Sequence, residues 1–162
     1  MFVRHFKKLG LFLLVLIFGG FAWYAGISTA QGSGLTMLES PLSFAETVES
    51  LEAIIADRGL NLFAKIDHTA NARTVDQTLR PTQLLIFGNP AVGTPLMQCD
   101  QQFGIDLPQK FLIWEDADGR TQIAYNDPFA LGLKHGALGQ CFDILENINN
   151  ALTNIIDAAI AR

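Results

Sequence analysis

The sequence contains few of the residues from which redox and metal sites are built. Its 162 residues include two cysteines and three histidines. The cysteines do not form a Cys-x-x-Cys motif, which is typical of redox-active pairs, and no two histidines have the His-x-His or His-x3-His spacing of metal ligands. The Gly-x-Ser-x-Gly motif of serine hydrolases and the Lys-Ser/Thr of a P-loop are also absent. We therefore predict no metal ion and no cofactor.

Basic residues are scarce as well. Eleven Lys and Arg stand against sixteen Asp and Glu, which gives a net charge of −5. Arg4, Lys7 and Lys8 precede a long apolar run, and without them eight basic residues remain against sixteen acidic ones, a net charge of −8. A surface of this sign repels phosphate backbones, so the composition argues against nucleic-acid binding and favours solubility.

The longest apolar run covers residues 9–27, which are 19 residues without a charge. As a helix this run is about 28 Å long, close to the thickness of a bilayer core. Residues 1–30 are thus either a signal peptide, cleaved after the small residues 28–30, or an uncleaved membrane anchor. The length and the interfacial pair Trp23 and Tyr24 favour the anchor. Both alternatives predict a periplasmic or otherwise extracytoplasmic domain, touching the membrane only through residues 9–27 if these are retained.

The remaining chain alternates between strand and helix patterns. After a short polar tether at residues 31–34, the domain is predicted to occupy residues 35–162. Apolar runs and polar–apolar alternation predict strands at residues 35–39, 61–67, 84–87, 111–114 and 120–125. Capping residues and helical periodicity predict helices at residues 44–58, 94–103, 128–134 and from 139 or 140 to 159. Residues 68–80 lack clear periodicity and are predicted to be a long polar connection with at most one helical turn. The order β-α-β-β-α-β-β-α predicts an α+β fold, with one antiparallel-rich sheet and helices on one face, preceded by the N-terminal hydrophobic helix.

Two stretches carry a family resemblance: RPTQLLIFGNPAVGTPLMQ at residues 80–98 and LPQKFLIWEDADGRTQIAYNDP at residues 107–128. Together they resemble the DUF302 family of uncharacterised bacterial and archaeal proteins, and the resemblance extends over about residues 34–148. It implies a compact TBP-like α/β domain that is often seen as a dimer. It implies no reaction, cofactor or catalytic residue.

The two cysteines, Cys99 and Cys141, both fall on predicted helices. A disulfide is compatible with export, and it would close a loop of about forty residues and stabilise the fold by about 3–4 kcal/mol. The alternative is two separate buried thiols that act as small apolar side chains. The sequence favours the separate thiols, because it does not fix the distance between the two Cα atoms.

Polar residues near predicted strand ends are the candidates for ligand contacts. Residues 88–94 form a glycine-containing turn before a helix, whose free N–H groups would hold an anion; a tight turn with a cap is the simpler interpretation. Asp127 is similarly explained as a helix cap, and His68 as a surface or locally hydrogen-bonded side chain. The full set of candidates is His68, Arg80, Asn89, Thr94, Asn126 and Asp127.

Three functions are compatible with these patterns. The first is an exported domain, not an enzyme, that binds a small molecule or a partner protein and forms a homodimer, with the Ala-rich residues 158–161 as one candidate dimer face. The second is a hydrolase or lyase that uses His68 with Asp67 or Asp127, which requires His68, Arg80, Asn89 and Asp127 to converge in one pocket. The third is a structural protein of the cell envelope.

Overall fold

One antiparallel sheet forms the centre of the protein, in the strand order β1-β2-β6-β5-β4-β3. The computed structural model describes residues 28–29 and 34–161, so the predicted N-terminal hydrophobic helix lies outside the described residues. The strands are β1 (Ser28–Thr29), β2 (Leu35–Ser40), β3 (Asn61–Asp67), β4 (Thr82–Gly88), β5 (Gln109–Glu115) and β6 (Thr121–Asn126). Every strand predicted from the sequence is present, and β1 adds two residues at one edge.

Five α-helices connect or follow the strands. They are α1 (Phe44–Asp57), α2 (His68–Arg73), α3 (Pro90–Cys99), α4 (Pro128–Lys134) and α5 (Phe142–Ile160), and a 3-10 helix covers Gln101–Ile105. The core lies between one face of the sheet and the helices α1, α3, α4 and α5. The predicted α+β class is confirmed. Within the part of the chain that the structure describes, no helix is both long and apolar enough to cross a bilayer.

Two helix starts are where their capping residues predict them. Ser43 caps α1 in a reciprocal capping box with Glu46, and Asp127 caps α4 with Pro128 at the first helical position. In both, a side-chain oxygen accepts backbone N–H groups that have no partner inside the helix. Local chemistry was therefore sufficient to place these two ends.

Other helix ends differ from the prediction. Helix α3 begins at Pro90 and is capped by Asn89, so Thr94 is not a cap and Pro95 lies inside the helix. Asn followed by Pro is itself a strong start signal, and the earlier start adds a full turn to α3. The last helix begins only at Phe142. The polar connection after β3 contains the six-residue helix α2, which Asp67 caps by accepting the N–H of Ala70.

Candidate functional site

A cavity of about 260 Å³ opens between helix α3, helix α5 and the ends of strands β3, β4 and β5. Its walls are predominantly apolar. The residues that line it are Leu60, Phe63, Phe87, Gly88, Asn89, Pro90, Val92, Gly93, Thr94, Met97, Leu107, Pro108, Gln109, Ile148, Ala151 and Ile155. None of these described lining residues is charged, so the cavity is suited to a neutral, apolar occupant.

The cavity exists because α3 packs loosely against the rest of the core. Leu96 is its only fully buried residue, whereas Val92 and Met97 of the same helix line the cavity. The opposite wall belongs to α5, through Ile148, Ala151 and others. Apolar side chains on α3 therefore border empty space that closer helix packing would have filled.

Few polar groups reach the cavity, and both oxygens of Asn89 are already engaged. Its side-chain Oδ1 accepts the N–H of Ala91 at 2.9 Å, and its carbonyl accepts the N–H groups of Val92 at 2.9 Å and Gly93 at 3.0 Å. Pro90 has no N–H to offer. The start of α3 therefore does not present the free N–H groups that the anion-binding hypothesis needs, and the interpretation as a tight turn with a cap is the correct one.

Of the six predicted ligand contacts, only Asn89 and Thr94 line this cavity. His68 begins α2 at the opposite end of the sheet, because β3 runs from the cavity end at Asn61 to Asp67. Arg80 lies at that far end too, where its Nε donates to the carbonyl of Glu115 at 3.1 Å.

Asn126 and Asp127 lie towards the other side of the sheet. Asn126 pairs with Leu35 of β2, and Asp127 Oδ1 accepts the N–H groups of Phe129 at 2.8 Å and Ala130 at 3.0 Å as a helix cap. Neither residue lines the cavity. His68, Arg80, Asn89 and Asp127 do not converge, and the hydrolase or lyase hypothesis loses the geometry on which it depended.

A partly buried ionic cluster, absent from the predictions made from the sequence, lies beside the cavity. Asp106 accepts from Lys134 Nζ at 2.9 Å and contacts His135 Nε2 at 2.7 Å. The His135 side chain is 6% exposed and packs on the ring of Phe103. Lys110 Nζ donates to the backbone carbonyls of Asp106 and Pro108. Because Asp106 and His135 are 29 residues apart, no local pattern in the sequence signals this contact.

The electrostatics of the cluster favour a structural role. Burial by itself raises the pKa of the Asp106 carboxyl, but the hydrogen bonds and charges of Lys134 and His135 outweigh it, so the pKa lies below its ordinary value. Burial lowers the pKa of Lys110, and the nearby Asp106 partly opposes that change. The cluster clamps the 3-10 helix to α4. Among the described residues, no group of three His, Cys, Asp or Glu side chains could hold a metal ion.

A disulfide between Cys99 and Cys141 borders the same region. The two Cα atoms are 6.0 Å apart, and the bond joins the last residue of α3 to the residue before α5. The preference for separate thiols is therefore wrong, since tertiary packing brings the two helix ends together although 42 positions separate them. Both helices that it joins form walls of the cavity.

The family description "Domain of unknown function DUF302" matches residues 37–159. Among curated proteins, the chain is 41% identical over 121 residues to "Fluoride-specific ion channel FluC 1" of Brucella suis biovar 1. The aligned stretch covers 75% of this chain and 47% of that protein. It is also 41% identical to "Fluoride-specific ion channel FluC 2" of Brucella melitensis biotype 1, with 44% of that protein covered. The chain thus spans less than half the length of the curated relatives it matches.

A solved structure has a similar fold. It is the crystal structure of an uncharacterized conserved protein DUF302 from Bacillus stearothermophilus, which superimposes with a TM-score of 0.70 at 19% sequence identity. The match covers 78% of this chain and 98% of that one. In that protein, the fold makes up nearly the whole crystallised chain.

Proposed function

The chain belongs to the DUF302 family, a family of unknown function, and from its geometry we propose that the domain binds a small, neutral, apolar molecule in the cavity between α3 and α5. The cavity is the observation that carries this proposal. Its described lining contains no charged residue, so an ion would lose its hydration there without a compensating partner. An apolar molecule would lose only unfavourable contact with water.

The size of the cavity limits the ligand. An apolar cavity of about 150 Å³ holds one benzene ring, so about 260 Å³ accommodates a molecule of about ten heavy atoms. The side chains of Thr94 and Gln109 and the side-chain Nδ2 of Asn89 are the polar groups on the described wall that remain to orient one polar atom of such a ligand. One aromatic or short aliphatic molecule with a single polar group fits this arrangement.

Blocking the cavity tests the proposal. Ala151 lies on α5, lines the cavity and is itself exposed, so Ala151→Trp fills the opening without disturbing the core. The probe is the neutral fluorophore 1-aminonaphthalene, whose size matches the cavity, titrated into the full-length chain in mild detergent, with empty micelles as the blank. We expect saturable binding with enhanced emission for the natural chain, and at least a tenfold weaker affinity for Ala151→Trp.

The matched control is Asn150→Trp, one position earlier on α5 and also exposed, which adds the same side chain outside the cavity. It should bind the probe as the natural chain does. Equal binding by all three proteins, or no saturable binding by the natural chain, would refute the proposal.

We also propose that the domain works outside the cytoplasm. The uncharged run at residues 9–27 supports export. The Cys99–Cys141 disulfide supports it independently, because disulfides persist in oxidising compartments and are rare in the cytosol. Export thus accounts for two features that are unrelated in the sequence.

The names of the curated relatives support a second candidate function. In proteins named as fluoride-specific ion channels, a stretch 41% identical to this chain makes up less than half of the length. We propose that this domain acts as an accessory to a fluoride channel. A strain without the chain should then tolerate less fluoride in a growth assay, and the natural chain should restore tolerance. Unchanged fluoride tolerance in that strain would contradict the accessory role while leaving the cavity proposal intact.

A further inference from the structure

Exposed apolar side chains surround the opening of the cavity. Phe63 near the start of β3 is 53% exposed and Val92 in the first turn of α3 is 45% exposed, and both line the cavity. Leu62, the neighbour of Phe63, is 41% exposed. Pro90 and Pro108 of the cavity wall also reach the surface. These five residues form an apolar rim around the opening.

The rim lies at the end of the sheet where Asn61 pairs with Gly88, which we call the cavity end. Helix α3 begins at this end, and none of its ten residues is charged although most of them are exposed. The uncharged stretch extends over residues 81–99, in a chain whose net charge is −5. A surface helix of a soluble protein normally carries charged or polar residues on its outer face. The composition of α3 therefore indicates a surface that meets something less polar than water.

The opposite end of the sheet is strongly charged. Arg120 at this end forms ion pairs with Asp116 at 3.1 Å, Asp118 at 2.9 Å and Glu39 at 3.7 Å. Asp67 ends strand β3 at the same end. The two ends of the sheet thus differ in polarity, and the charged end is suited to water.

Charged groups near the cavity end lie beside the rim and not on it. Asp106 accepts from Lys134 Nζ at 2.9 Å. Arg58, which follows α1, donates from Nη2 to the carbonyl of Asn154 at 2.9 Å. Lys110 donates to two backbone carbonyls. These contacts hold the charges against the domain and leave the rim itself apolar.

A lipid bilayer fits this distribution of charge. Amphipathic surfaces bind at the boundary between headgroups and acyl chains, where their apolar side chains are buried by about 5–10 Å. The rim supplies such side chains, and the charged end would stay in water. A protein bound on the rim would close the cavity, whereas a bilayer leaves it connected to a medium in which apolar molecules dissolve.

The uncharged run at residues 9–27 joins the domain close to the cavity end. Ser28 follows this run directly and pairs with Met37 of β2. Met37 is two residues, about 7 Å, from Leu35 at the cavity end. The headgroup layer on each side of a bilayer is roughly 5–8 Å thick. A run held in the bilayer would therefore leave the cavity end within reach of the lipid surface.

We propose that the cavity end docks on the surface of a lipid bilayer, with Leu62, Phe63 and Val92 inserted at the boundary between headgroups and acyl chains. The cavity then opens towards the lipid, and its ligand is a molecule that dissolves in the bilayer. The statement about the ligand rests on the binding site proposed above, whereas docking itself does not.

Two exposed valines test this orientation. Val92 lies on the rim, and Val75, which is 65% exposed, follows α2 at the charged end. Val92→Cys and Val75→Cys are each labelled with an environment-sensitive fluorophore in the full-length chain, reconstituted in phosphatidylcholine vesicles. Cys99 and Cys141 are bonded to each other and do not take the label. We expect a nitroxide on the lipid to quench the label at position 92 at least threefold more than the label at position 75.

Two other results overturn the proposal. A label at position 92 that the lipid nitroxide does not quench shows that the rim faces water or another protein. Equal or stronger quenching at position 75 shows that the cavity end is not the end that meets the lipid.

Leu62→Glu tests docking without altering the cavity, because Leu62 is not among the described residues that line it. The substitution should lower the quenching of the Val92→Cys label at least twofold, since a carboxylate is costly to bury in apolar surroundings. The affinity for 1-aminonaphthalene in detergent should not change. Leu79→Glu is the matched control, because Leu79 is 43% exposed and lies next to Arg80 at the charged end; its quenching should remain normal.

The two readouts separate docking from ligand binding. Unchanged quenching in a folded Leu62→Glu variant overturns docking, whatever the affinity for the probe. A natural chain that docks but does not bind 1-aminonaphthalene refutes the ligand site and leaves docking supported.

Discussion

Gly132 shows how strongly a single residue constrains the packing of α4 on α5. A Cβ at this position would lie 2.6 Å from the Leu145 side chain and 3.1 Å from the Leu138 backbone. Both distances are shorter than normal contacts, and Leu145 is completely buried. The absence of a side chain at position 132 is therefore what allows the two helices to approach.

Gly132→Ala should consequently destabilise the fold by about 1–3 kcal/mol, as expected for overpacking. The measurement is the midpoint of urea unfolding followed by circular dichroism. Gly139→Ala is the control, since a Cβ there meets nothing within 4 Å and the backbone φ is not positive. An equal effect of both substitutions would show that helix approach is not the cause.

Asp106 links stability to pH. Its folded-state pKa is lowered from the ordinary 3.8, so it stabilises the fold above that value, and the contribution is lost as the pH falls through the folded-state pKa. Asp106→Asn should cost about 1 kcal/mol near neutral pH, and the difference from the natural chain should shrink as the pH falls below the carboxyl's ordinary pKa of 3.8. Urea midpoints near neutral pH and in the acid range check this, with the exposed Asp143→Asn as control. A difference that does not change with pH would contradict it.

At the scale of elements, the starts of α1 and α4 could be predicted from the sequence, whereas the boundaries of α3 could not. Ser43 and Asp127 act through side-chain contacts with residues two or three positions away, and local sequence patterns reflect such contacts. At α3, two competing start signals, Asn89-Pro90 and Thr94-Pro95, lie five residues apart. The observed start is at Pro90.

Nor could local patterns identify the candidate site. The cavity depends on the spacing between α3 and α5, and the clamp between Asp106 and His135 spans 29 residues. Polar residues near strand ends were good helix caps, as at Asp67, Asn89 and Asp127. They were poor guides to the site because it is apolar, and apolar residues that line a cavity look the same in a sequence as those that fill a core.

The disulfide should hold helix α3 in place. Leu96 is the only fully buried residue of α3, so the bond from Cys99 supplies much of its attachment to α5. Replacing Cys99 and Cys141 together by Ser should lower the free energy of unfolding by about 2–4 kcal/mol.

Hydrogen exchange separates this effect from a general loss of stability. In the doubly substituted chain, the amides of α3 should exchange faster than those of α1, which packs on α5 through contacts such as Ser50 Oγ to the Ala159 carbonyl at 2.7 Å. Uniform acceleration in both helices would contradict a local role for the bond.

At the scale of the whole molecule, export can be tested directly. Alkaline phosphatase fused after Arg162 should be active in bacteria, because this enzyme requires disulfides that form outside the cytosol. Leu14→Arg together with Leu16→Arg places two charges in the apolar run and should abolish that activity. Activity retained by the substituted fusion, or absent from the natural one, would refute the proposed location.

Because β1 lies within residues 1–30, cleavage or retention of this segment changes the structure of the sheet edge. Ser28 and Thr29 pair with Met37 and Thr36 of β2, and they follow residue 27, the last of the uncharged run, without an intervening residue. A retained anchor would attach the sheet edge to the lipid surface with no slack, so the domain could not rotate freely above the bilayer. Cleavage after Ala30 would instead remove β1 and leave β2 as an unpaired edge, open to a strand from another protein. Cleavage of residues 1–30 would therefore decide between two forms of the protein. The uncleaved form is held at the membrane with β1 covering the edge of β2, and the cleaved form diffuses freely with that edge open to a strand from another protein.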